Sequence, residues 1–301
     1  MARYILIAVA AGLLSGCLHL SLALGSMGGI ILVYLTPVPL FIVGLSMGAQ
    51  AALIAGGTGA LVDILVDGPA LGASYIAMFT IPVALLCRQA LLWRQDSSGG
   101  QVWYPLGNLA TLLAALAAAG FLLMTVVAAL VGEGLLAELE QKMRDLAAAM
   151  QVKENVEQMV AMAPLVPPMI CVSWMLMIIF NGALAQGTLQ RFKRSIRPKA
   201  DIAELSLPLP LLAVFVAAVA LAFLPGTAGL IGKTLAAIGA VPYFLAGLGV
   251  IHGWVRAWPG RVFVLVPIYI LTFLFVWPVI GLGVWQQLSG SRSGGADREE
   301  D

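Results

Sequence analysis

Apolar residues dominate this chain in long blocks, and charged residues gather in the few gaps between them. A helix needs ~20 consecutive apolar residues to cross the hydrocarbon core of a bilayer, and blocks of that length recur about eight or nine times. Their extents predict helices over 4–24, 29–47, 50–67, 70–93, 103–131, 164–190, 207–224, 228–254 and 261–287. The expected fold is an all-α, polytopic transmembrane helix bundle. It forms a single integral membrane domain over 1–288, followed by a disordered acidic tail over 289–301.

Proline modulates this pattern. Thr36-Pro37-Val38-Pro39 falls near the middle of the second block, where lost backbone donors produce either a kinked span or a re-entrant one. Pro208 and Pro210 fall at the start of a block, where the first helical turn tolerates them. Pro267 and Pro278 are positions at which the last span would break.

One segment, 132–163, has a different period. Leu135, Leu136, Leu139, Met143, Leu146 and Met150 recur at three and four, and Glu138–Lys142 and Glu140–Arg144 form i,i+4 pairs on the other face. It reads as an extracytoplasmic amphipathic helix that ends before Pro164. It either rests on lipid as a connector or serves as a lid over a pocket.

Composition sharpens the class. Hydrophobic residues are 61% of the chain and the mean hydropathy is +0.99, beyond the range of a water-soluble domain of this length. The net charge of +1 argues against a nucleic-acid surface. Arg3; Arg88 and Arg94; Arg191, Lys193, Arg194, Arg197 and Lys199; and Arg256 and Arg261 form clusters separated by even numbers of spans. All therefore share one side, which the positive-inside rule makes the cytoplasm. The expected location is a bacterial inner membrane, with the N-terminus cytoplasmic and the tail Asp297–Asp301 outside. Leu14-Ser15-Gly16-Cys17 matches a lipoprotein cleavage box, but the apolar run continues past Cys17 without a polar linker. An uncleaved first span is the expectation. Cys17, Cys87 and Cys171 lie in apolar runs and read as packing residues.

Ionisable groups inside spans are costly, and by default they mark function or a structural pair. His19, Asp63, Asp67 and Lys233 all fall in the outer leaflet, on three helices. A Lys233–Asp63 ion pair would offset the desolvation of both, and His19, Asp63 and Lys233 are the candidate polar pocket. The blander alternatives are a snorkelling Lys233, an interhelical histidine at His19, and an Asp67-Gly68-Pro69 turn that leaves Asp67 in water. A second set lies in the inner half: Asn108, Asn181, Gln186 and His252, read as interhelical contacts or as part of a transport path. Ala8, Gly12 and Gly16 give the first span a small-residue face, for packing within the fold or against a partner. No HExxH, GxSxG, phosphate loop or metal-spaced Cys/His cluster occurs, so no enzyme activity, metal or cofactor is expected.

Leu35-Thr36-Pro37-Val38-Pro39-Leu40, Phe180-Asn181 with Ala185-Gln186, Leu207-Pro208, Gly247-Leu248 with His252, and Tyr269 resemble the predicted membrane proteins of domain of unknown function 2232, called YybS-like. The resemblance extends over nearly the whole chain. It implies an inner-membrane protein of many spans, similar at a distance to the substrate-binding S components of energy-coupling-factor vitamin transporters. That kinship implies capture of a small solute and dependence on a partner ATPase module, with Ala8, Gly12 and Gly16 resembling the docking face. The chain departs from that pattern in having more spans than the usual six and a long outer helix, and no substrate-binding residue carries over.

The functional expectation is a transporter-like solute-binding subunit, in contact with the lipid bilayer, lacking its own ATPase and with an unknown small-molecule substrate. The alternative is a non-transport scaffold that recruits partners in envelope assembly. A water-filled pocket lined by His19, Asp63 and Lys233 favours transport; a dry, closed ion pair favours the scaffold.

Overall fold

The computed structural model describes residues 2–21, 26–152, 154–256, 258, 263, 266–268, 270, 272 and 275–296. Arg261, Tyr269, the end of the first predicted span and the tail over 297–301 lie outside the described residues. The described residues form twelve α-helices as numbered below, and contain seven stretches long and apolar enough to cross a membrane. An eighth apolar helix, Leu209–Leu221, is shorter.

Two compact units divide the stretch read as one membrane domain. The first comprises 1–109 and 176–200, the second 110–175 and 201–301. In the first, α1 (Ala2–Leu20) is followed by α2 (Met27–Tyr34), α3 (Pro37–Met47), α4 (Ala49–Asp67) and α5 (Pro69–Ala90). α6 (Leu106–Val131) and α9 (Val166–Arg191) each begin in one unit and end in the other. The second unit holds α7 (Leu135–Ala149), α8 (Val156–Ala161), α10 (Leu209–Leu221), α11 (Gly226–Val255) and α12 (Val276–Ala296). α12 runs past residue 288, into the stretch expected as tail, and Pro278 lies in its first turn.

The packing inverts that of a soluble protein. Ala8, Gly12, Ala51, Ala52, Ala55, Gly56, Gly59 and Ala60 are buried, whereas Leu6, Leu65, Leu130, Val131 and Phe223 are exposed. Small residues inside let helix backbones touch where lipid supplies no hydrophobic drive, and large apolar ones face lipid. The second unit follows the same rule. A β-carbon on Gly247 would overlap the Val279 carbonyl oxygen, and one on Gly283 would overlap that of Tyr243.

The proline-bearing second span is interrupted at Leu35–Thr36, yet α2 and α3 together form one apolar stretch of 21 residues, Met27–Met47. Pro37 and Pro39 occupy the first turn of α3, where the missing donors cost little. The break diverts the Val38 amide to the Leu35 carbonyl at 3.0 Å. The Tyr34 carbonyl is left for a side chain to satisfy.

Between α5 and α6 lies a two-stranded hairpin that apolar periodicity does not reveal. β1 (Trp93–Gln95) pairs antiparallel with β2 (Gln101–Trp103), with Trp93 opposite Trp103. Its turn is built by Asp96, whose Oδ1 accepts from the Ser98 amide at 2.9 Å, the Ser98 hydroxyl at 2.7 Å and the Gly100 amide at 2.7 Å. The Ser98 hydroxyl first, then the Gly100 amide, hold the Asp96 carboxyl below the usual carboxylate range. A lowered folded-state pKa stabilises the turn fully above the unfolded value of ~3.9, and that contribution is lost as pH falls through the depressed value. Acidification is therefore expected to shift the Ser98 and Gly100 amide resonances together, with a midpoint below the ordinary Asp value. A midpoint at or above it would contradict this geometry.

The amphipathic segment folds as α7 and α8, joined through Gln151 and Asn155, both at positive φ. Arg144 does not pair with Glu140 as expected; its guanidinium reaches Glu157 on α8 at 2.7 Å. The reversal of the chain brings that carboxylate within reach, and Gln141 and Asp145 make the i,i+4 bond instead.

Candidate functional site

The first unit encloses an ionisable pair. α1 and α4 run parallel and in register over about two turns: Gly12 lies against Ala55 and Thr58, Gly16 against Gly59 and Val62, and His19 against Asp63. A β-carbon on Gly12 would overlap the Ala55 carbonyl oxygen and stand 2.6 Å from the Thr58 β-carbon. One on Gly16 would stand 2.9 Å from the Val62 β-carbon. This close approach brings His19 Nδ1 to 2.6 Å from Asp63 Oδ2.

Asp63 is 0% exposed and the His19 side chain 13%. Antiparallel to α4, α5 closes the site with Tyr75 and Phe79. Their rings lie 5.4 and 5.3 Å from the His19 ring, edge-on in both cases. Gly59 leaves the room that the Tyr75 phenol occupies, and Gly56 the room for Thr80. α5 winds into a π-turn over Ile76–Thr80 at this level, a distortion common where a helix carries function.

Two hydroxyls tie Tyr75, whose ring abuts His19, to the broken span. The Ser15 hydroxyl donates to the Thr36 carbonyl at 2.6 Å, so the Tyr75 hydroxyl, 2.5 Å away, donates to Ser15. Ser15, Thr36 and Tyr75 are all fully buried. Asp63 Oδ1, Thr36 Oγ1 and Thr80 Oγ1 are buried without hydrogen-bond partners. The pair can hold a proton between two spans. Ser15 is not presented as a nucleophile, since its proton is committed to a backbone carbonyl.

Within the first unit, Asp63 takes His19 as its partner. The carboxylate is enclosed against His19, while Lys233 is exposed on α11 of the second unit. A histidine a turn beyond Gly16 reaches Asp63 directly across the close α1–α4 seam. Replacing Lys233 with Met is accordingly expected to change unfolding free energy by less than ~0.5 kcal/mol, as at other exposed positions. A larger loss in detergent unfolding would restore Lys233 to the site. Asp67 is exposed at the end of α4, beside Gly68 at positive φ, as a turn residue would be.

The inner polar residues separate. Asn181, 0% exposed, donates to the freed Tyr34 carbonyl at 2.8 Å and to Met177 O at 2.7 Å. Gln186 donates to Ser195 Oγ and to the Arg197 carbonyl, both at 2.9 Å. Asn108 is half-buried in the same unit. His252 belongs to the second unit, with Nδ1 2.9 Å from the Leu248 carbonyl.

Sequence reasoning missed Arg197, which is buried and donates to the carbonyls of Ala90 at 3.1 Å and Tyr104 at 2.8 Å. Burial lowers its pKa from the ordinary arginine value. It also missed Gln287, which accepts from the Tyr243 hydroxyl at 2.7 Å and donates to Leu207 O at 3.1 Å and Pro208 O at 2.9 Å. Gln287 borders a cavity of about 340 Å³ in the second unit, between Ser206–Leu209 and Ala246, Gly283 and Gln286. Two adjacent amides in an apolar run were the available signal for Gln287. The hydroxyls of Ser15 and Tyr75 carried none.

Long apolar helices with small residues inside, large ones facing outward, and an enclosed ionisable pair define a polytopic integral membrane protein in contact with the bilayer. The profile of a family described as predicted membrane protein, domain of unknown function 2232, matches residues 13–285. The chain belongs to that family. No curated protein and no solved structure matches it.

Proposed function

We propose that this chain is a non-transport membrane scaffold, without catalytic activity, that recruits partners in a bacterial inner membrane with its N-terminus cytoplasmic. One observation carries the reading: the α1–α4 seam is closed. The small-residue face of Ala8, Gly12 and Gly16, available in principle to dock a motor module, is buried within the fold. The His19–Asp63 pair above it is shut from solvent at Asp63. Both features expected of a solute-binding subunit are thus used for rigidity. A His–Asp pair with a hydroxyl chain specifies one arrangement of α1, α3, α4 and α5, which suits a body that presents fixed surfaces.

A second reading, a solute-binding subunit that relies on a partner ATPase module, is favoured by the cavity beside Gln286 and Gln287. Its volume of about 340 Å³ is at the lower end of small-molecule sites. Purification from native membranes with identification of co-purifying subunits and small molecules separates the two. The scaffold reading expects envelope-assembly proteins and no retained solute. A stoichiometric ATP-binding partner together with a bound small molecule would sink it.

A further inference from the structure

The basic end of the first unit is more than an orientation signal. Residues 88–105 and 187–200 contain seven Lys/Arg residues against a lone acid, Asp96. Six of those cations, Arg88, Arg94, Arg191, Lys193, Arg194 and Lys199, are exposed. The seventh, Arg197, is turned inward as a clamp. Its two carbonyl bonds tie the segment after α9 to the C-terminus of α5 and to the base of the hairpin, where the Tyr104 amide donates to Leu92 O at 2.9 Å.

The segment is fixed at its start as well. Lys193 takes a positive φ of 55°, and the Arg194 amide returns to the Leu189 carbonyl at 2.8 Å, closing the end of α9. Gln186 holds Ser195 and Arg197 from the helix side. The exposed cations are therefore displayed on an ordered surface at helix ends. Exposed aromatic side chains lie among them: Trp93 at 55% and Phe192 at 69%.

From this arrangement we infer that the basic end of the first unit is a binding surface for anionic phospholipid headgroups. Cations bordering helix ends lie at headgroup depth, where each adds to attraction for anionic lipid. Aromatic rings beside them suit the boundary between headgroups and hydrocarbon, which a site for a free soluble anion has no reason to carry. The inference is independent of the scaffold reading.

The test uses the full-length protein, with native mass spectrometry counting phosphatidylglycerol and phosphatidylcholine retained from mixed micelles. Wild type should retain phosphatidylglycerol at least about tenfold over phosphatidylcholine, and neutralising a cation should weaken retention by about fivefold per charge. Combined Arg191→Gln, Lys193→Gln, Arg194→Gln and Lys199→Gln should abolish the preference; Lys142→Gln with Arg144→Gln, on α7, should leave it intact. If the fourfold variant does not fold, wild type alone decides, because raising salt from about 0.1 to 0.5 M shortens electrostatic reach and should strip the lipid. Equal retention of both lipids, a salt-independent preference, or an equal loss in the α7 control would overturn the inference. So would displacement of the lipid by millimolar inorganic phosphate or by an acidic peptide, which would make the surface a free-anion or protein site.

Discussion

His19→Ala is expected to destabilise the protein by about 3–5 kcal/mol, because it strands a carboxylate that has no other partner among the described residues. Asp63 Oδ2 depends on His19 and Oδ1 is already unpartnered, so nothing within the first unit replaces the lost contact. The double replacement His19→Leu, Asp63→Leu should recover much of the loss, since removing both members of a buried pair leaves no uncompensated charge. Unfolding in detergent, followed by denaturant titration, gives both values. A single variant as stable as wild type would mean that the pair does not hold the seam. A double variant as unstable as the single would place the penalty in packing instead of charge.

The second large effect belongs to Gly12. Gly12→Val should cost about 3 kcal/mol, the upper part of the range for overpacking, because the added carbon meets the Ala55 carbonyl oxygen, part of a backbone that cannot swing aside. To relieve the clash α1 must move away from α4, and that movement also separates His19 from Asp63. Combining Gly12→Val with His19→Ala should therefore cost less than the sum of the two, the signature of sites that share one contact. Gly57→Ala is the matched control: nothing lies within 4 Å of its added carbon, and it should be neutral or slightly stabilising. Additive losses, or an equal loss at Gly57, would argue against the seam as the point of coupling.

The candidate site was partly legible. Asp63 and His19 stood out because an ionisable group in an apolar run needs a partner, a proton or water. Choosing Lys233 as that partner followed from charge and depth, both of which are available from a sequence. Helix adjacency is not available from a sequence: Gly12 and Gly16 bring α1 against α4, and that seam carries histidine. The Ser15–Tyr75–Thr36 chain was not legible, because neutral hydroxyls occur throughout membrane helices and only proximity gives them a role. Asn181 shows the same limit from the other side. Its amide was visible, but the carbonyl it satisfies exists as a free acceptor only because α2 and α3 break beside Pro37.

Chain composition and period by themselves determine the class of this protein, its approximate spans, the amphipathic segment and the residues that are costly to bury. These follow from solvent preference, which acts on each stretch of chain independently of the others. Tertiary structure alone decides which helices touch, and hence that Asp63 is met by His19, that Arg197 is a clamp, and that the small-residue face of α1 is spent inside the fold. The first and last of those outcomes rest on backbone approach at particular glycines and the second on chain segments meeting at Arg197, pairwise properties that no single helix encodes.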